Sequence, residues 1–171
     1  MTNDAASTSS ASLTVRHEAP AAFEPHSFAR DFFVTAPIEA VWEWLCRTET
    51  FTDGQPPGYQ VEFVDNRFEV GSLNAHHGPF LNFAGVVTAM EAPRYRDLQY
   101  FYGSFALSMR LIRPHRLQFW LSSVDDREQG CVVRLQVDSH VRPWMARLWT
   151  LAQRCFWPLF GWSMQRQFKT S

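Results

Sequence analysis

The chain is poor in charge, in lysine and in cysteine. Only 19% of its 171 residues are charged, and Lys169 is the single lysine against fifteen arginines. The net charge of −1 argues against a dedicated nucleic-acid binder. The cysteines are Cys46, Cys131 and Cys155, odd in number and far apart in sequence. That pattern excludes a disulfide framework and a structural zinc site, and suits buried, reduced thiols in a cytoplasmic protein. The opening stretch MTNDAASTSSASLTV has no basic segment followed by an apolar one, so no secretory signal is expected. No apolar run approaches the roughly 18 residues of a membrane span. The nearest candidate, 143–162, is interrupted by Arg147, Gln153, Arg154 and Pro158. The GxSxG, P-loop and GxGxxG signatures are all missing, so neither an elbow nucleophile nor a nucleotide cradle is legible.

What the chain has in quantity is aromatic side chains, at 15%: 15 Phe, 7 Trp and 4 Tyr. A disordered chain shows the opposite balance. Charge is unevenly spread. Residues 1–139 carry all seventeen acids and eleven arginines, for −6. Residues 140–171 carry Arg142, Arg147, Arg154, Arg166 and Lys169 with no acid, for +5.

Residues 1–25, rich in Ala, Ser and Thr, read as a disordered N-terminal tail before one domain spanning 26–171. A strand over 27–35 is followed by Ala36-Pro37, where the period changes. Pro37 and Glu39 suit a helix start, and Ile38, Val41, Trp42 and Leu45 share one face of a helix ending near Arg47. A loop over 52–58 leads into strands at 59–64, 70–76, 80–90, 94–102, 105–112, 116–123 and 131–140. Gly103-Ser104 suits a hairpin turn, and 125–130 a polar turn. In the last strand Cys131, Val133, Leu135, Val137 and Ser139 face one way and Arg134, Gln136, Asp138 and His140 the other. An antiparallel sheet with one covered face gives that alternation.

From Arg142-Pro143 to about Phe168 the period is helical. One apolar stripe runs through Trp144, Leu148, Leu151, Cys155, Leu159 and Trp162. A second runs through Met145, Trp149, Ala152, Phe156 and Phe160, with Arg147, Thr150 and Arg154 on the polar side. Pro158 and Gly161 predict a kink or a break.

The order strand, helix, many strands, long helix implies an α+β domain. The segment from Phe33 to Leu45 (FVTAPIEAVWEWL), the glycine at Val70-Gly71 and the single terminal helix resemble the START-like, or SRPBCC, superfamily over residues 27–168. The resemblance implies a helix-grip fold: a curved antiparallel sheet of about seven strands wrapped around a long C-terminal helix. Eight strands can be counted here, one more than that family has, if Gly103 or Pro114 splits one. The resemblance also implies a cavity between sheet and helix, polyketide cyclase/dehydrase and lipid-transfer relatives, and no cofactor.

The positions expected to line such a cavity are Leu98, Tyr100, Tyr102, Leu107, Met109, Phe119, Leu121, Val133 and Leu135 from the sheet. Leu148, Leu151, Ala152 and Cys155 face them from the helix. Arg96 shares the phase of Leu98, Tyr100 and Tyr102, so Arg96, Tyr100 and Tyr102 are the candidate catalytic groups. His76-His77 is a tempting pair, but neighbours on a strand point to opposite faces and no third ligand has suitable spacing, so no metal is expected. Three readings stay open. One is a carrier or sensor of a lipid, polyketide or aromatic compound. Another is a cyclase or aromatase that uses Arg96 and Tyr100. The third is association with a membrane surface through the Trp- and Arg-rich segment 143–162.

Overall fold

The computed structural model describes residues 13, 17–53, 60–78, 82–103, 110–124 and 130–169. In chain order the elements are β1 (Glu24–Val34), α1 (Ile38–Cys46), α2 (Thr48–Asp53), β2 (Gln60–Phe63), β3 (Leu73–His77) and β4 (Phe83–Glu91), followed by β5 (Tyr95–Gly103), β6 (Ile112–Ser123), β7 (Cys131–Val141) and α3 (Ala146–Lys169). The strands form a single antiparallel sheet in the order β1-β7-β6-β5-β4-β3-β2. Register shifts between Ala84 and Gly85, between Val87 and Ala89, and between Pro114 and Arg116 interrupt the ladders. Bulges of this kind increase local twist and bend a sheet. The sheet curves around α3 in a helix-grip arrangement, as expected.

Seven strands replace the eight that can be counted. Pro114 does not end a strand: β6 runs through it, with the ladder to β7 shifted there to accommodate the missing N–H. Most of the expected strand 105–112 and of the turns at Gly103-Ser104 and 125–130 lies outside the described residues, as does most of the 52–58 loop. Gly71 precedes β3 with φ +95°, a conformation that only glycine adopts without strain, and its N–H reaches the Val87 carbonyl at 2.8 Å.

Helix α1 starts at Pro37, whose carbonyl accepts from the Val41 N–H at 3.1 Å. It buries Ile38, Val41, Trp44 and Leu45. Trp44 takes the inner place expected for Trp42, which is half-buried. Pro158 and Gly161 do not break α3, which runs 24 residues through both. Pro158 has no N–H to offer the Arg154 carbonyl one turn back. Arg30 Nη1 of β1 approaches that oxygen at 3.5 Å.

Among the described residues ahead of β1, Leu13 and His17 touch the sheet. The Leu13 N–H donates to the Thr88 carbonyl at 2.9 Å, and the His17 ring stacks on His115 at 4.9 Å. These contacts lie on the sheet face turned away from α3. There Asp97, 2% exposed, accepts from Arg116 Nε at 2.8 Å, Thr88 Oγ1 at 2.7 Å and Gln99 Nε2 at 3.0 Å. A buried carboxylate with that many donors is satisfied.

Candidate functional site

The face of the sheet toward α3 has two parts. Under the C-terminal half of the helix it is a packed core, where Phe160 meets Phe32, Trp44 and Phe119 with ring centroids 5.8 to 6.3 Å apart. Under the N-terminal half it opens into a cavity of about 450 Å³. The helix closes that cavity with Trp149, Ala152, Gln153, Phe156 and Trp157, and Met145 in the turn just ahead of it adds to them. The spacing of 3 and 4 residues is that of one helical face. Two hydrogen bonds fix this half of the helix to the β1–β7 edge. Trp149 Nε1 donates to Ser139 Oγ at 3.2 Å, and His26 Nε2 lies 2.8 Å from Thr150 Oγ1.

The sheet side is built by β6 (Ile112, Pro114, Leu117, Phe119), by Val137 and by a ring cluster at the far end. There His76 of β3 stacks on Phe83 of β4 at 4.8 Å, and both rings pack edge-on to Tyr100 of β5, at 5.0 and 4.4 Å. Antiparallel pairing brings these rings together, since β4 is the common neighbour of β3 and β5.

Of the expected lining residues, Tyr100, Phe119, Leu148 and Ala152 border the cavity. Leu98, Leu121, Val133 and Leu135 point to the same side but belong to the packed core, at 4% exposure or less. The Tyr102 side chain, Leu107 and Met109 lie outside what is described. Leu151 and Cys155 are corrected: both are exposed on the opposite face of α3. The helix carries two apolar stripes, and the one through Trp149, Phe156 and Phe160 faces the sheet. Its larger rings bury more area there than Leu151 and Cys155 would.

Arg96 also departs from expectation. It is 1% exposed, yet it does not border the cavity. Its guanidinium lies between the Phe68 and Phe119 rings, 4.7 and 4.5 Å from their centroids, and Nη1 donates to the Leu45 carbonyl. It fastens α1 to the sheet. Burial lowers its pKa to about 10, still a cation at neutral pH, and the same charge is felt by His76 and Tyr100 through the cavity wall.

His76, weighed above only as a metal ligand, and Gln153, which no residue pattern singled out, are polar groups of the cavity wall. His76 Nε2 lies 3.0 Å from Asn74 Oδ1, and burial, with Arg96 and His77 adding to it, pushes its pKa down to about 3. It is therefore neutral at physiological pH. Burial raises the Tyr100 hydroxyl above its ordinary value, so that group stays protonated. Gln153 is 3% exposed. Trp157 Nε1 donates to its Oε1 at 3.4 Å, which orients the amide, and its Nε2 has no partner. The polar pair Asn74 and His76, two apart and so on one face of β3, was the available signal there. A glutamine on the apolar side of α3 was the signal for Gln153.

Among the described residues no three His, Cys, Asp or Glu side chains converge as a metal site, and no helix is long and apolar enough to cross a membrane.

No protein-family model matches the chain, and no curated protein matches it. Solved structures do. Norcoclaurine synthase from Thalictrum flavum, in complex with dopamine and hydroxybenzaldehyde, superposes with a TM-score of 0.65 at 12% identity, covering 92% of this chain and 96% of that one. Ara h 8.0201 gives 0.60 at 13% identity, over 86% and 100%. A START superfamily protein from Mycobacterium smegmatis gives 0.63 at 10% identity, over 83% and 99%. With a seven-stranded curved sheet gripping one terminal helix and these structural neighbours, the chain has the START-like, SRPBCC-type helix-grip fold.

Proposed function

We propose that this protein binds a small hydrophobic ligand in the cavity between the sheet and the N-terminal half of α3. The observation that carries this reading is the cavity itself. Its volume of about 450 Å³ falls inside the range of small-molecule sites, about 300–1,000 Å³. A filled core would leave only voids close to the size of a water molecule. The walls are mostly apolar and rich in aromatic rings, which favours a flat or polyene body, and dopamine and hydroxybenzaldehyde are both small aromatic compounds held by a protein of this fold. A lipid, polyketide or aromatic compound meets these terms. The unpartnered Gln153 Nε2 adds one requirement, a carbonyl or hydroxyl oxygen on the ligand to accept from it.

Binding is favoured over a cyclase or aromatase reaction. A proton-transfer catalyst works best with a pKa near the operating pH. His76 near 3 is a weak base, and Tyr100 is a weakened acid. Arg96, the cation invoked for polarising an enolate, sits behind the wall.

Native mass spectrometry of the whole chain, exposed to fatty acids, polyketides and aromatic aldehydes, tests the proposal together with anilinonaphthalene sulfonate fluorescence. The expected result is a one-to-one adduct and a saturable signal, both lost in Ala152→Trp. Absence of any adduct and of probe binding in the wild type would overturn it.

A further inference from the structure

The outer face of α3 and the turn leading into it carry Trp144, Leu148, Leu151, Leu159 and Trp162 at 64, 55, 57, 52 and 61% exposure, with exposed Cys155 between them. The spacing keeps them on one side, and from Leu148 to Trp162 the helix extends this stripe over ~21 Å, with Trp144 in the turn just ahead of it. Contiguous exposed apolar surface of that extent marks a contact site on a monomer. The charges around it have one sign. Arg147, Arg154, Arg166 and Lys169 are exposed on the same helix, and no acid occurs from residue 140 onward. The Arg166 guanidinium lies 5.3 Å from the Trp162 ring.

We propose that this face docks the protein on an anionic lipid bilayer, with α3 lying in the interface plane. Indole rings partition to the headgroup region, leucines reach the acyl boundary and arginines meet lipid phosphates. The opposite face of the helix is held on the sheet through Phe160 and Met164, so α3 lies on the membrane rather than crossing it. A second copy of the chain is the poorer occupant: helix against helix would set these cations against one another with no acid to answer them. The stripe also meets the ligand site. Leu148 and Ala152 are exposed and border the cavity at once, so docking turns its rim toward the lipid. That last point rests on the proposed ligand-binding role; docking itself does not need the cavity to be filled.

The test is flotation of the full chain with vesicles of phosphatidylcholine, with and without phosphatidylglycerol, at low and high salt. Recovery with phosphatidylglycerol vesicles should exceed that with phosphatidylcholine alone and fall as salt rises. Trp144→Ser and Trp162→Ser should each weaken vesicle affinity on the order of tenfold, and Arg147→Glu with Arg154→Glu should remove the phosphatidylglycerol preference. Anilinonaphthalene sulfonate binding by the same variants should be unchanged, which separates lost docking from lost folding or a lost cavity. The proposal is overturned if the wild type does not float, if the variants float equally well, or if sedimentation shows a dimer that the tryptophan variants dissolve.

Discussion

The two halves of α3 sit on the same sheet and solve opposite problems. Its C-terminal half is a core element. Phe160 and Met164 are almost fully buried, and α1 fills the space beneath with Trp44. Gly161 lies so close to β1 that a Cβ there would come within 2.4 Å of the Phe32 ring. The N-terminal half holds a roof over empty space, fastened at its edge by His26 and Ser139. One continuous helix therefore supplies a packed core at one end and the wall of a cavity at the other. Substitutions in the two halves should separate along that line.

The largest effect belongs to the packed half. Phe160→Ala removes a ring that meets four other aromatic rings, and should cost about 3–5 kcal/mol in chemical denaturation. Gly161→Ala forces Phe32 or the helix to move, and should cost about 1–3 kcal/mol despite alanine's better helix propensity. If Gly161→Ala were stabilising, the close packing of the two elements would be refuted.

His76 gives the cavity half a signature in pH. Its folded pKa of about 3 lies well below the free-histidine value, so between those two values the unfolded chain binds more protons. Its contribution to stability is therefore intact above the free value and is lost as pH falls toward the folded one, on the order of 1 kcal/mol per pH unit. Urea titrations from neutrality to mild acid should show a shallower loss in His76→Gln than in the wild type.

The smallest stability effect is expected at the roof. Ala152→Trp adds bulk toward empty space and should shift stability by no more than about 0.5 kcal/mol while abolishing probe binding. Gln153→Leu should weaken ligands that carry an acceptor oxygen by a few-fold to about tenfold. Hydrocarbon ligands should bind the Gln153→Leu variant as tightly as the wild type, or more so.

Much of this architecture is legible in the residues. The period change at Pro37, the alternation of Cys131 to Ser139 and the helical spacing after Pro143 each specify an element, and the structure has all three. The orientation of α3 is not legible, because both of its stripes are apolar and a hydrophobic pattern cannot rank them. Tyr100 and Phe119 could be placed on the inward phase, but inward phase alone does not separate core from cavity. Leu98 and Tyr100 are two residues apart on one strand, and only Tyr100 borders the space. Arg96 shows a second limit. Its phase is right, but its length lets it turn toward α1, where the Leu45 carbonyl and two rings receive it.

Pro158 falls near the boundary between the two halves of the helix. A helical ladder with one rung missing has lower bending stiffness at that turn, and the substitute bond from Arg30 is long. Compliance is thus concentrated beside the cavity, more than a turn before the fully buried Met164. A bend at that turn would shift the segment 146–157, tied to the sheet at Trp149 and Thr150, relative to the aromatic cluster beyond it.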